Sequence, residues 1–245
     1  MLKIPKMTMR QRAFGYPYEA PDGAYLLRDG YQLDLPETYD FSGRIAVLSV
    51  GSNRAPAQLY RKFGEPAEVP VTPVAVKDCD IVHVANLADY GAVPCSAFPS
   101  RGTIITLNIA WLTSQQLEIM HATEALGEAY DWIEWDMRAI TALSHRLPAR
   151  LFGYSAIAGA FNLNGNGPFA LEKINAQDRQ FTPASQKEMQ DQIFAALGAD
   201  AADVYQWVET VQSDAGLRRT IRHLLAEKAI QPVGPPWQKS DALGG

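Results

Sequence analysis

The chain has 245 residues, of which 47% are hydrophobic and 20% charged, and this composition excludes collagen-like, low-complexity and disordered classes for the whole chain. Its 22 basic and 27 acidic residues give a net charge of −5 without a long basic run, which disfavours nucleic acid and membrane surfaces as partners. The two cysteines, Cys79 and Cys95, cannot form a disulfide framework, so we expect a reducing, cytoplasmic setting.

The N-terminal part of the chain predicts mainly strands. Residues 24–35 have the pattern of a β-hairpin around the Asp-Gly pair at positions 29 and 30. Residues 45–50 form a short apolar run that ends at Gly51-Ser52-Asn53, and Pro56 beyond it suits the first turn of a helix. Further strands are predicted at 69–76, 80–88 and 103–111.

From residue 113 the apolar period changes toward that of a helix, which Ser114 is expected to cap. Its apolar stripe contains Leu117, Met120, His121 and Glu124. Residues 132–140 and 151–163 return to strand-like or mixed patterns. The longest uncharged stretch, 151–171, is interrupted by glycine, asparagine and proline, and its apolar part is shorter than the ~20 residues that span a bilayer.

The C-terminal part has helical composition. Helices are predicted at 185–197, 201–211 and 214–228, and Asp200 is expected to cap the second. The tail, 231–245, is rich in proline and ends in glycine, which predicts disorder. We therefore predict an N-terminal extension at 1–43, a central domain at 44–180, a helical extension at 181–230 and this tail.

Several common catalytic motifs are absent from the sequence. The chain has no P-loop, and the glycines at 165 and 167 do not complete a dinucleotide-binding fingerprint. The Gly-Tyr-Ser-Ala-Ile segment at 153–157 lacks the closing glycine of a nucleophile elbow. The four histidines are widely spaced in sequence, which disfavours a metal site or a serine triad.

The loop Val50-Gly51-Ser52-Asn53 is the first candidate site. A strand that ends in small residues ahead of a helix presents backbone N–H groups, which bind carboxylates and oxyanions. Gly-Ser-Asn is also the composition of an ordinary turn, so the loop alone does not establish a site.

Glu124 is the second candidate. It lies on the apolar stripe of its helix, where a carboxylate shielded from water is able to shuttle protons. Alternatively, it forms a salt bridge with Arg101 or Arg138, or lies at a frayed helix end. Glu128, one turn further on, is a rival for the same role.

These features together resemble the γ-glutamyl cyclotransferase-like family, whose signature is a Tyr-Gly-Ser-Asn loop after the first barrel strand. The resemblance continues through Gly-Thr-Ile-Ile at 102–105 and Leu-Thr-Ser-Gln-Gln-Leu at 112–117, and covers roughly residues 44–138. Glu124 then falls where the family places its catalytic glutamate. The sequence departs from the family pattern at Val50, which replaces the loop tyrosine, and at Ala125, which replaces a glycine.

The resemblance implies an α+β fold, a small mixed β-barrel with flanking helices, and an enzyme that releases 5-oxoproline from a γ-glutamyl compound. It implies that Glu124 is the acid/base, that the loop residues Val50, Gly51, Ser52 and Asn53 bind substrate, and that Tyr130 orients it. No metal or organic cofactor is expected. Two alternatives stay open: another amide transfer or hydrolysis in the same pocket, and a catalytically silent module that binds a small molecule.

Overall fold

A mixed sheet of thirteen strands and six α-helices form the part of the chain that the computed structural model describes, residues 1–198 and 201–241. The first six strands are β1 (Leu2–Lys3), β2 (Tyr25–Arg28), β3 (Tyr31–Asp34), β4 (Ile45–Ser49), β5 (Glu68–His83) and β6 (Cys95–Leu112). The others are β7 (Tyr130–Trp135), β8 (Ile140–Ala142), β9 (Phe152–Ala156), β10 (Phe169–Leu171), β11 (Ala176–Gln177), β12 (Thr182–Ala184) and β13 (Trp237–Lys239). The helices are α1 (Met9–Gly15), α2 (Pro56–Phe63), α3 (Ser114–Thr123), α4 (Gln186–Leu197), α5 (Val204–Ser213) and α6 (Ala215–Lys228).

The long strands β5 and β6 form the centre of the sheet. They pair antiparallel, with a register shift between Lys77 and Cys79. The main path of paired strands runs β1-β3-β2-β5-β6-β4-β9-β7-β13, and the four remaining short strands pair with members of this path or with each other. The fold is α+β, as expected. Within the described residues no pairing joins β1 to β13, so closure of the sheet into a barrel is not confirmed.

Local sequence explains the elements around the N-terminal half of the sheet. The predicted hairpin is present as β2 and β3, with Asp29 and Gly30 at positive φ in the connecting turn. Such a turn matches the twist of the paired strands. The predicted strand at 69–76 and the start of the one at 80–88 are joined in the single strand β5, because its pairing with β6 continues across the bulge. The second prediction extends too far, since β5 ends at His83.

The helix α3 begins and ends differently from the prediction. Thr113, rather than Ser114, is the N-cap, and it forms a capping box with Gln116. Glu124 is the C-cap residue instead of lying within the helix, and its N–H donates to the Met120 carbonyl at 2.9 Å. The carboxylate therefore projects from the end of the helix and not from its apolar stripe.

The C-terminal segment also corrects the sequence analysis. The predicted disorder of 231–245 is wrong for Trp237–Lys239, which pair antiparallel with β7 as strand β13. Trp237 is buried against Trp135, with ring centroids 4.8 Å apart, and this burial stabilises the strand despite the prolines before it. Asp203 caps α5, while the predicted cap Asp200 and residues 242–245 lie outside the described residues.

The three C-terminal helices bury an apolar cluster of their own against the end of the central hairpin. Its members include Met189, Trp207, Val208, Leu87 and Phe161. Among the described residues, no helix combines the length and apolar character needed to cross a membrane. The domain boundaries and the cytoplasmic setting stay predictions.

Candidate active site

A cleft of about 580 Å³ lies where α2, the residues after α3 and the connection between β5 and β6 meet. Ser52, Lys62, Glu124 and Tyr130 are among the residues that line it. The β5–β6 connection, residues 86–94, is called the cleft loop below because most of its residues line this space. A cleft of this size accommodates a small metabolite.

Gly51 begins the turn that follows β4. It is buried, and a Cβ atom at this position would lie 2.5 Å from Cys95 Sγ and 2.7 Å from Tyr16 Oη. The turn then closes with the Arg54 N–H donating to the Gly51 carbonyl at 3.1 Å. Among the described residues, no hydrogen bond uses the N–H of Ser52 or Asn53, and Ser52 lines the cleft.

We expect Gly51→Ala to destabilise the protein by about 1–3 kcal/mol, because the added methyl group overlaps two buried side chains. Urea unfolding measures the loss. The matched control is Gly23→Ala, since a Cβ at Gly23 meets no atom within 4 Å. Equal stability of Gly51→Ala and Gly23→Ala would show that the turn can open to accept a side chain.

Glu124 is held by two side chains, Lys62, which lines the cleft, and Asn53, which does not. Lys62 Nζ donates to Glu124 Oε1, and Asn53 Nδ2 donates to the same oxygen at 3.0 Å. The Glu124 side chain is 16% exposed, whereas that of Lys62 is 2% exposed. Its ion-pair partner is therefore Lys62, and the pairing with Arg101 or Arg138 considered from sequence is wrong.

The side chain of Lys62 is almost completely shielded from water. Burial lowers the pKa of its ammonium group, and the neighbouring Glu124 opposes this effect. Besides Glu124, the ammonium contacts Met120 Sδ at 3.1 Å. Glu124 is thus the group that offsets the buried charge of Lys62.

Three tyrosines at the cleft, Tyr16, Tyr90 and Tyr130, are neutral hydrogen-bonding groups. Burial raises the pKa of each phenol well above its usual value, and nearby acidic groups add to the effect. Tyr130 Oη donates to the Cys95 carbonyl at 3.4 Å. Tyr16 Oη donates to Cys95 Sγ at 3.2 Å and accepts from the Cys95 N–H at 3.1 Å.

Cys95 lies behind these tyrosines and is a poor nucleophile. Burial raises the pKa of its thiol to about 12, although the hydrogen bond from Tyr16 acts in the opposite direction. Because the thiolate is the reactive form of cysteine, Cys95 stays an inert packing residue near neutral pH.

Ala125 follows Glu124 with φ +49, in the left-handed region that favours glycine. We expect Ala125→Gly to stabilise the protein by about 1 kcal/mol, because removal of Cβ relieves this conformation. Ala122→Gly, within α3, is the matched control and is expected to lose about 1 kcal/mol. Thermal unfolding compares the two variants, and a stability loss in both would contradict a strained Ala125.

The structure brings part of the predicted site together. Ser52, Glu124 and Tyr130 line the cleft, and the rival carboxylate Glu128 also lines it but is exposed. Asn53 reaches Glu124 by a hydrogen bond, whereas Gly51 and Asn53 are not among the lining residues. Val50 does not line the cleft either; it packs against the main core, and its carbonyl accepts from Cys95 Sγ at 3.7 Å.

Sequence analysis missed most residues of the cleft, among them the polar residues Lys62, Tyr16, Tyr90 and Arg222. Lys62 stands beside another basic residue in an amphipathic helix, a pattern typical of a solvated face. The other three lie far from the recognised motifs, in the N-terminal segment, the cleft loop and α6. No local sequence signal distinguishes them.

Comparisons with known proteins give similarity of structure only. No protein-family model and no curated protein matches the chain. A gamma-glutamyl cyclotransferase of known structure is similar with a TM-score of 0.37 and 10% identity, over 82% of this chain and 95% of that chain. An uncharacterized protein from Homo sapiens is similar with a TM-score of 0.36 and 12% identity, over 82% of this chain and 96% of that chain. The family named by the sequence resemblance is therefore among the structural neighbours, and the inference of an activity rests on the cleft itself.

Proposed function

We propose that the protein releases 5-oxoproline from a γ-glutamyl compound in this cleft. The observation that carries the proposal is the carboxylate of Glu124, which lines a metabolite-sized cleft and is fixed there by Lys62 and Asn53. A carboxylate that is fixed in position beside a substrate amine is suited to accept a proton from it.

The proposed reaction is an intramolecular transfer. The α-amine of the γ-glutamyl group attacks its own γ-carbonyl carbon, a new C–N bond closes the five-membered ring, and the C–N bond to the leaving amine breaks. Glu124 accepts the proton lost by the attacking nitrogen and returns it to the leaving nitrogen, so the reaction needs no other reactant. Holding the flexible glutamyl chain in its cyclising conformation contributes a large share of the rate.

The free N–H groups of the turn after β4 are proposed to bind the negative charge of the substrate. Those of Gly51, Ser52 and Asn53 would hold the α-carboxylate or the oxyanion that develops on the γ-carbonyl oxygen. The neutral phenol of Tyr130 is proposed to orient the substrate by a hydrogen bond. Binding by fixed local donors explains how a protein with a net charge of −5 accepts a carboxylate.

A second candidate is a silent binding module of the same fold. The ion pair between Lys62 and Glu124 favours it, because a carboxylate already neutralised by a buried ammonium group is a weaker proton acceptor than a free one. Hydrolysis of the γ-glutamyl bond is the third outcome, in which water rather than the α-amine attacks the carbonyl.

The test is incubation of the purified protein with a panel of γ-glutamyl amino acids and γ-glutamylamines. We expect 5-oxoproline and the free amine in equal amounts. Release of free glutamate in place of 5-oxoproline would indicate hydrolysis. Binding of a panel member by calorimetry without any turnover would contradict the proposed reaction and favour the silent module.

A further inference from the structure

The cleft loop is held from outside by the C-terminal helices. Within the loop, the Gly91 N–H donates to the Ala88 carbonyl and the Ala88 N–H donates to the Ala92 carbonyl, both at 2.8 Å. Three other carbonyls of the loop accept hydrogen bonds from side chains of α4, α5 and α6, one from each helix. These bonds are Gln190 Nε2 to Gly91 O (2.7 Å), Gln212 Nε2 to Tyr90 O (3.0 Å) and Arg222 Nε to Leu87 O (2.8 Å).

Further contacts fix the same loop against α5 and α6. Asp89 accepts from Arg222 at 2.8 Å and lies 3.3 Å from Arg218 Nε. Gly91, at φ +86, lies so close to α5 that a Cβ would stand 2.8 Å from Val208 Cγ1. Gln190 also donates to the Ala13 carbonyl at 3.1 Å, which links the loop to α1.

The loop needs such support because it combines exposed polar groups with a binding role. Connecting loops open at low free energy unless tertiary contacts hold them, and ordering a loop on binding reduces affinity. Here the side chains that hold the loop come from a segment outside the recognised loop-to-glutamate region. Tyr90 and Asp89, which line the cleft, have their positions set by these bonds.

We propose that the three C-terminal helices are the positioning element of the cleft, with Gln212 and Arg222 as positioning residues for the ligand. The helices act through the cleft loop, by keeping Tyr90 and its neighbours in the conformation that binds. The choice of a γ-glutamyl ligand in the test rests on the proposed function. The inference that the helices hold the cleft loop in place does not rest on it.

The first measurement is hydrogen exchange of the cleft-loop amides in the full-length protein without ligand. Gln212→Met removes the donor to Tyr90 O while keeping the length of the side chain, and Arg222→Met removes both contacts of the guanidinium. We expect exchange to rise about fivefold in Gln212→Met, which loses one hydrogen bond to a backbone carbonyl, and by more in Arg222→Met, which loses two hydrogen bonds. Arg219→Met, on the exposed side of α6, is the matched control and leaves exchange unchanged.

The second measurement separates positioning from a purely structural role. We expect the KM for γ-glutamylalanine to rise about fivefold in Gln212→Met, by the same loss of one hydrogen bond, while kcat stays within about twofold. Arg222→Lys, which keeps a charge near Asp89, is expected to recover part of the loss seen in Arg222→Met.

Each outcome decides the proposal. Unchanged loop exchange in both Gln212→Met and Arg222→Met would overturn it, as would raised exchange with unchanged KM. A fall in kcat with unchanged KM would overturn the assignment to binding. If the unmodified protein shows no turnover, the proposed reaction fails separately, and calorimetric affinity for γ-glutamylalanine replaces KM. If this ligand binds to neither the protein nor its variants, the proposed function is overturned, and the loop exchange alone decides whether the helices support the loop.

Discussion

Replacement of Glu124 by glutamine is expected to reduce kcat for 5-oxoproline release by about 10²- to 10⁴-fold, because the amide cannot accept the proton of the attacking amine. Glutamine keeps an oxygen for the hydrogen bonds from Lys62 and Asn53, so the shape of the cleft is retained. The measurement is a single-turnover assay of 5-oxoproline formation. Glu128→Gln is the matched control, since it removes an exposed carboxylate of the same cleft and should keep its turnover.

The same substitution carries a cost in stability. Glu124→Gln leaves the ammonium of Lys62, 2% exposed, without a carboxylate partner, and loss of one member of a buried pair costs about 3 kcal/mol. The double variant Lys62→Met/Glu124→Gln removes the orphaned charge and should recover most of this loss. If the double variant recovers stability but stays inactive, the loss of activity is not caused by unfolding. Full activity in Glu124→Gln would exclude Glu124 as the base.

Lys62→Met distinguishes an enzyme from a silent module. If Glu124 is the base, Lys62→Met removes the side chain that holds its carboxylate in place, and kcat/KM for 5-oxoproline release should fall about 10- to 100-fold through the lost positioning. If the ion pair silences the carboxylate, Lys62→Met should instead create turnover that the unmodified protein lacks.

The control for this comparison is Arg61→Met, one position earlier on α2. Arg61 also lines the cleft, so the variant removes a positive charge nearby without removing the direct partner of Glu124. An equal fall of kcat/KM in both variants would indicate a general charge effect of the cleft rather than the action of Lys62.

Local patterns predicted the elements whose structure depends on a few neighbouring residues. The hairpin at Asp29-Gly30 and the cap of α4 at Ser185 are of this kind, since both depend on turn or cap chemistry within three or four positions. The prediction of the α3 cap was wrong by one residue because Thr113 and Ser114 are adjacent residues of equal capping chemistry.

Such local patterns could not predict contacts between residues from distant parts of the chain. The burial of Lys62 depends on packing of α2 against α3, which the sequence around it does not encode. Strand β13 depends on the packing of Trp237 against Trp135, about a hundred positions earlier in the chain. The family resemblance placed the loop at 51–53 and Glu124 in one site, and the hydrogen bond from Asn53 to Glu124 joins them; their catalytic and binding roles stay predictions.

The two hydrogen bonds of Gln190 have a consequence for how the protein forms during synthesis. Its side chain joins the Ala13 carbonyl, 177 positions earlier in the chain, to the Gly91 carbonyl, 99 positions earlier. Contacts of such long sequence separation form late, after the loop between them has closed. The cleft is therefore completed only once the C-terminal helices have been made, so a ribosome-bound chain that already contains the loop and Glu124 does not yet hold a finished binding site.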